Sequence, residues 1–352
     1  TILRRDPSDS VALDLLEWVE GEMVEEARAG NVDAVVDLRS RYLRTVARSP
    51  SFDRRMRATD ERLVDALATC GENKGREGRR EQAEKCFDAG LAIDPANQRL
   101  QRGRGSLEPA PGETRIWEPD GRVMVWVPSG SFRFGASLYD RQIAVDELPA
   151  GSRDVVGFWL DRYEVTNADY RRCVEAGQCT PPSKTEAYDD PNRASHPVLW
   201  VSWYQASEFA RWTGKRLPSE VEWERAVRAG SGTRFPWGDT WEPDRANIFD
   251  TGGSDRWGAS APVGVFAANA WGIHDLIGNA AEWVHDVYHT SYRGGPRDGT
   301  PWEQETGPSV ERRRVVRGGS YFDPPSKQRV SRRSSRKPTG DHRTTGFRCA
   351  AD

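Results

Sequence analysis

The sequence predicts an α+β chain of two unlike domains: a helical one over residues 1–102 and an irregular mixed one over residues 115–352, joined by a linker at 103–114. Three observations predict it. At 352 residues the chain exceeds the usual size of one domain, so two cores are expected. Of the 14 tryptophans only Trp18 precedes residue 110, and all 5 histidines lie beyond residue 195. At Arg115 the apolar spacing also changes, from a period of three to four residues to short runs broken by Gly, Pro, Asn and Asp. Hydrophobic content of 36% beside charged content of 30% describes a well-solvated surface. No run approaches the roughly 18 apolar residues of a membrane span, and the start of the chain lacks the layout of a signal peptide. No membrane role is therefore expected, and a cytoplasmic location is. The 51 basic and 54 acidic residues leave a net charge of -3, no overall field for nucleic acid, so recognition by charge has to be local.

Residues 9 to 102 read as helices. Val11, Leu15, Val19 and Met23 recur at i+4, and Val35, Leu38, Tyr42 and Val46 continue the period after Gly30-Asn31. A third stripe, Met56, Leu63 and Leu67, runs into a polar break at Gly71-Glu72-Asn73-Lys74-Gly75. Ala83, Phe87 and Leu91, ending at Asp94-Pro95-Ala96-Asn97, look like the second helix of a tetratricopeptide repeat. A helical adaptor and a peptide-binding repeat array both fit these segments. Gly103 to Glu113, rich in Gly and Pro, reads as the linker. Beyond it, Val123 to Val127 and Phe158 to Leu160 read as strands. Asn167 to Glu175, Trp203 to Thr213 and Ser219 to Ala229 read as helices, the last opened by a Ser219-Glu222 capping box. Loops this long need something other than a large sheet to fix them.

The irregular domain carries a series of collinear motifs: Met124-Val125-Trp126-Val127-Pro128, Tyr163-Glu164-Val165-Thr166-Asn167, Gly214-Lys215-Arg216-Leu217-Pro218-Ser219-Glu220, Phe235-Pro236-Trp237-Gly238-Asp239, Gly278-Asn279 with Glu282-Trp283, Arg317-Gly318-Gly319-Ser320 and Gly346-Phe347-Arg348. In order and spacing these resemble the formylglycine-generating enzyme (sulfatase-modifying factor) family, which implies an elaborated C-type lectin-like fold. The resemblance covers about residues 115–352.

In that family two cysteines just after the Gly-Gly-Ser-Tyr segment bind copper and activate oxygen. The resemblance places them at Asp323 and Gln328, neither of which supplies a thiolate. The tryptophan of the family's Asn-Ala-Trp-Glu-Trp segment is Ala281 here, and Ser320 alone survives from that site. Ser320 is a nucleophile in one reading and a partner for backbone groups in the other. Related iron enzymes hold their metal with three histidines in an added helical bundle, and the helical region here has none. Neither copper nor iron is expected.

Structural calcium is the cofactor the resemblance implies. One site falls on Asn247, Ile248, Asp255 and Trp257, and a second on Asp275, Gly278, Ala280 and Glu282. Oxygen donors of this kind suit a hard cation; the alternative is that the carboxylates cap turns. Five cysteines are too few for a disulfide scaffold and show no zinc spacing. Cys173 and Cys179 lie around Gly177, which can turn the chain back after a helix, so they pair or remain free thiols.

The stretch from Glu311 to Arg348 is strongly basic and includes Arg312. Arginines near Arg329, Arg332 and Arg348 are implied by the resemblance to form buried ion pairs, and aromatic residues are too sparse for nucleic-acid binding. Ser320, Tyr321, Phe322, Asp323, Gln328, Arg329 and Arg333 are the expected contacts of a protein or peptide partner, most suitably acidic. The function expected is a non-catalytic recognition or signalling module of a bacterial multidomain protein. Because the chain starts at Thr1 rather than Met, a further domain is expected ahead of it. The alternative is an enzyme with changed, non-copper chemistry in the same pocket.

Overall fold

The computed structural model describes residues 10–45, 50–77, 79–107, 109–136, 142–249, 255–304 and 313–352. The side chains of Val11 and Leu15, with Val46, Glu311 and Arg312, lie outside the described residues. The chain divides into two compact units, Thr1–Glu108 and Pro109–Asp352.

Among the described residues the first unit holds five helices: α1 (Ser10–Ala29), α2 (Val32–Thr45), α3 (Pro50–Arg76), α4 (Arg80–Ile93) and α5 (Gln98–Gly105). Met23, Val35, Tyr42, Met56, Leu63 and Leu67 meet in one core, as their helical spacing requires. The expected break at residues 71–75 is instead helix, because α3 runs on to Arg76. Its glycine has a packing role: a Cβ on Gly71 would lie 2.5 Å from the Phe87 ring, and one on Gly103 2.3 Å from it. The two glycines let α3 and α5 close on Phe87, so Gly103 belongs to a helix rather than to the linker. Asn97 caps α5 by accepting from the N–H groups of Arg99 and Leu100. Cys70 on α3 and Cys86 on α4 form a disulfide that nothing in the sequence pattern announced.

Among the described residues the second unit contains three small sheets. The first has the order β1 (Thr114–Trp117), β2 (Arg122–Val127), β5 (Phe158–Asp161), β10 (Ala350–Ala351), and the second pairs β3 (Gly130–Phe134) with β4 (Gly151–Val155). The third runs β8 (Arg333–Arg336), β7 (Arg314–Arg317), β6 (Ala281–Val287), β9 (Thr345–Gly346). The expected helices are α6 (Asn167–Glu175), α8 (Trp203–Trp212) and α9 (Glu220–Arg228), and a short α7 (Glu186–Asp189) precedes α8. Ser219 Oγ accepts from Glu222 N–H at 3.1 Å while Glu222 Oε2 accepts from Ser219 N–H at 2.7 Å, so the capping box starts α9 as the sequence indicates. Cys173 and Cys179 form a disulfide across the end of α6. The opening β1 pairs with β2 and the closing β10 with β5, so both ends of the unit are tied into the first sheet.

Candidate functional site

The site begins where β7 ends. Arg317 closes the strand, and Gly318 and Gly319 turn the chain at φ +90° and +69°. A Cβ on Gly319 would lie 2.4 Å from Gln328 Oε1, so a side chain there would displace Gln328. Gln328 is wholly buried, and its Nε2 donates to the carbonyls of Ser320 and Asp323, both at 3.1 Å. Ser320 Oγ, also buried, donates to Asp323 Oδ2 at 2.7 Å. Residues 320–328 are thus a turn closed by its own hydroxyl, carboxylate and carboxamide. No thiol lies within it. The cysteine outside the unit's disulfide, Cys349, is buried, and burial raises its thiol pKa well above the ordinary value.

Four arginines of the basic C-terminal stretch are inside the domain. Arg317 pairs with Glu220 at 2.7 Å and Glu224 at 2.6 Å. Arg333 pairs with Glu220 at 2.6 Å, Arg329 with Glu147 at 2.6 Å and Arg348 with Glu282 at 2.7 Å. Burial alone would push the Glu147 carboxyl up, but the hydrogen bonds and charge of Arg329 hold it below its usual value. Arg329 and Arg333 are each 1% exposed, and Ser320 and Gln328 are fully covered. These four were expected to touch a partner. The Ser320 and Gln328 side chains instead close the turn itself, and the Arg329 and Arg333 guanidinium groups turn inward onto Glu147 and Glu220, because a buried guanidinium requires a carboxylate partner.

Tyr321, Phe322 and Asp323 remain accessible. Phe322 is 50% exposed and stacks edge-on with Phe249, itself 53% exposed, at 5.7 Å between ring centres. The Arg343 guanidinium lies 4.1 Å over the Phe322 ring, and Tyr321 OH donates to the Arg343 carbonyl. Phe249 N–H donates to the Asp323 carbonyl. The accessible patch is therefore Phe249, Tyr321, Phe322, Asp323 and Arg343. The sequence reading missed Phe249, whose exposed aromatic type just past Asn247-Ile248 was the available signal.

Asn279, at φ +52°, joins this patch to the loops expected to hold cations. Its carbonyl accepts from Tyr321 N–H, and its Oδ1 accepts from Ala261 N–H at 2.8 Å and Asn247 Nδ2 at 3.2 Å. In the first loop the Asp255 carboxylate accepts from the N–H groups of Ile248 and Trp257. Asn247 is 1% exposed, and its Oδ1 has no hydrogen-bond partner among the described residues. An orphaned carboxamide oxygen beside an oriented carboxylate fits an oxygen-seeking cation.

The second loop is organised differently. The Glu282 oxygens are already taken by Arg348 and by Trp223 Nε1 at 2.8 Å, and Asp275 Oδ2 accepts from Gly264 N–H. Glu164, within the Tyr163–Asn167 motif, receives Asn279 Nδ2 and Ala280 N–H. Burial, reinforced by the neighbouring Glu282, raises the Asp275 pKa to about 6. Glu164 is likewise raised by burial and by Asp275 and Glu282. Among the described residues no three His, Cys, Asp or Glu side chains form a group able to hold a metal. Asn247, Ile248, Asp255 and Trp257 form one loop neighbourhood, whereas the Asp275, Gly278, Ala280 and Glu282 segment is knitted by protein hydrogen bonds.

A mixed domain of short sheets, long loops and buried arginine pairs, with a Gly-Gly-Ser turn beside its third sheet, defines the class. Residues 114–352 match the family described as sulfatase-modifying factor enzyme 1-like domain, and the chain belongs to that family. It is 33% identical to the formylglycine-generating enzyme of Mus musculus, over 65% of this chain and 75% of that one. It is 31% identical to the serine/threonine-protein kinase Pkn1 of Chlamydia trachomatis serovar L2, over 84% of this chain, so that match reaches into the helices; the chain spans 47% of that kinase's length. Among solved structures it resembles PvdO from Pseudomonas aeruginosa, with a TM-score of 0.61 and 29% identity over 69% of this chain and 99% of that one. Among the described residues no helix is long and apolar enough to cross a membrane.

Proposed function

We propose that this chain is a non-catalytic member of its family: a helical adaptor followed by a recognition module, within a larger signalling protein, that binds an acidic peptide or protein segment. The observation that carries the reading is the closed Ser320–Gln328 turn. Asp323 and Gln328, the positions to which the resemblance assigns the copper thiolates, are engaged in holding that turn. A carboxylate and a carboxamide lack the soft sulfur donor that the copper chemistry uses. What the turn offers outward is an aromatic pair with Arg343 over it, a mixture found at binding centres. The match to a protein named as a kinase, extending into the helices, supports a place beside other domains. The alternative enzyme would use Ser320, but among the described residues no histidine hydrogen-bonds its hydroxyl, which donates to Asp323 instead.

Calcium completes the reading as a structural ion. Asn247 Oδ1, Asp255 and the carbonyls of Ile248 and Trp257 would hold it in the first loop, where the orphaned Asn247 oxygen supports it. A second ion at Asp275, Gly278, Ala280 and Glu282 would have to share Glu282 with Arg348. No iron or copper takes part.

The test is equilibrium binding of a labelled glutamate-rich peptide to the whole chain. Replacing Tyr321 and Phe322 by Ala should weaken it by about 1–3 kcal/mol with the melting temperature unchanged. Undiminished binding by that variant, or no binding by the parent chain, would overturn the acidic-peptide reading.

A further inference from the structure

Beyond Arg343 the aromatic patch continues into a basic surface made by the start of β7, the end of β8 and the loop that follows β8. Arg314 lies opposite Arg336 in the β7–β8 pair, so Arg313 and Arg336 come to the same end of the sheet. Arg313 Nε donates to Ser335 Oγ at 2.9 Å and its Nη2 to the Ser335 carbonyl at 2.6 Å. Arg336 Nη2 donates to Thr344 Oγ1 at 3.2 Å. Thr344 follows Arg343, whose guanidinium lies over the Phe322 ring and whose carbonyl receives Tyr321 OH at 3.0 Å, so patch and basic surface are continuous. The loop itself is fixed, because the His342 carbonyl accepts from Trp200 N–H and Thr345 N–H, both at 3.2 Å.

These arginines differ from the four inside the domain in what they touch. Arg317, Arg329, Arg333 and Arg348 each meet a carboxylate at ion-pair distance. Arg313 and Arg336 are held by hydroxyls and a carbonyl and Arg343 by a ring, and none of these three has an ion pair among the described residues. Arg336 Nε is buried with no hydrogen-bond partner among them. Burial pushes the Arg336 guanidinium below its usual pKa; Asp323 offsets part of this and Arg313 adds to it. The Asp323 carboxylate is itself engaged by the Ser320 hydroxyl. The imidazole of His342 is lowered by burial and by the Arg336 and Arg313 charges, with Asp341 opposing, which is the same excess of positive charge seen from the loop.

Resting on the peptide-binding role proposed above, we infer that the acidic group taken here is a phosphoryl group: the partner is a phosphorylated peptide whose phosphate lies on Arg313 and Arg336 while its flanking residues meet Tyr321 and Phe322. A phosphoryl group carries about 1.5 to 2 negative charges at neutral pH and three acceptor oxygens. One carboxylate fills one guanidinium fork, whereas a phosphate has oxygens for two. Ser335 and Thr344 already position both side chains, so little freedom is lost when they bind. Arg336, half-buried without an ion pair, gains the counter-charge it lacks.

The experiment is equilibrium binding to the whole chain, by fluorescence anisotropy, of two labelled peptides: a glutamate-rich peptide with one central phosphoserine, and the same peptide with glutamate in its place. The phosphopeptide is expected to bind about tenfold tighter or more, because charged hydrogen bonds are added. Arg313→Gln combined with Arg336→Gln should bring the two affinities together. Arg336→Lys, which keeps the charge and removes the fork, should shrink the preference and serves if the double variant does not fold. Tyr321→Ala with Phe322→Ala should weaken both peptides and leave the preference in place. Equal affinities for the parent chain, or a preference kept by the folded arginine variants, would overturn this inference while the peptide role stands; binding of neither peptide would overturn both. Inorganic phosphate bound as tightly as the phosphopeptide would overturn a peptide as the source of the group.

Discussion

In the helical unit many charged side chains face water, whereas in the domain that follows a set of arginines is placed inside. Arg28 and Glu25 pair on α1 with side chains 63% and 69% exposed, while Arg317, Glu220 and Glu224 are 0%, 4% and 0% exposed. The difference follows from how each unit is held. Helices satisfy their own backbones and need only an apolar stripe to pack, so Leu63, Leu67 and Tyr42 suffice. The domain has short strands and long loops, and Arg317, Arg333, Arg329 and Arg348 pin the segments its sheets do not reach. Basic residues crowded near the C-terminus therefore act there as internal ties more than as a surface field.

The sharpest way to break this comparison is to remove one tie from each unit. Arg317→Ala leaves Glu220 and Glu224 buried without that partner and should cost about 3–5 kcal/mol. Arg28→Ala should cost less than about 1 kcal/mol. Urea unfolding followed by tryptophan fluorescence reads the domain selectively, since Trp18 alone lies in the helices, and circular dichroism reads both. Equal losses would contradict the account.

Next in size is a pH effect confined to the domain. Burial, with the nearby Glu220 charge, raises the Asp286 pKa to about 7. Folded Asp286 then holds a proton that the unfolded chain releases near pH 4, so its contribution is full below about pH 4 and is lost as pH rises through about 7. The swing is on the order of 2–4 kcal/mol. Comparing the pH–stability profile with that of Asp286→Asn isolates it, and a variant as pH-dependent as the parent would remove Asp286 as the cause.

Calcium sharpens the comparison between loops. At about one hundred times its dissociation constant the ion should add about 2.7 kcal/mol. Chelation should lower the domain's melting temperature, and Asn247→Ala should abolish that response. A response kept by Asn247→Ala but lost in Glu282→Gln would move the ion to the second loop. In the helices, Gly71→Ala drives a methyl into Phe87 and should cost about 1–3 kcal/mol, read by circular dichroism.

What was legible in the sequence was local. The Ser219 capping box, the spacing of α6 and α8 and the apolar runs of β2 and β5 each depend on residues a few positions apart. The continuity of α3 was hidden because a glycine in a polar run signals a break unless its partner is known, and Phe87 comes from another helix. The resemblance implied buried ion pairs near Arg329 and Arg348, but the inward direction of Arg333 was hidden for the same reason: Glu220 is far away in sequence. Type and spacing marked Tyr321, Phe322 and Asp323 as a surface, but could not separate them from Gln328, which the turn buries. The first cation loop rested on the resemblance, and the orphaned Asn247 oxygen gave it a physical reason.

The most direct test of the central claim is incubation of the copper-treated whole chain with a Cys-x-Pro-x-Arg peptide in the presence of oxygen, with aldehyde formation followed by mass spectrometry. With Asp323 and Gln328 closing the turn, the account predicts no aldehyde above the protein-free control. Aldehyde that accumulates with chain concentration, and disappears on removing copper, would contradict it.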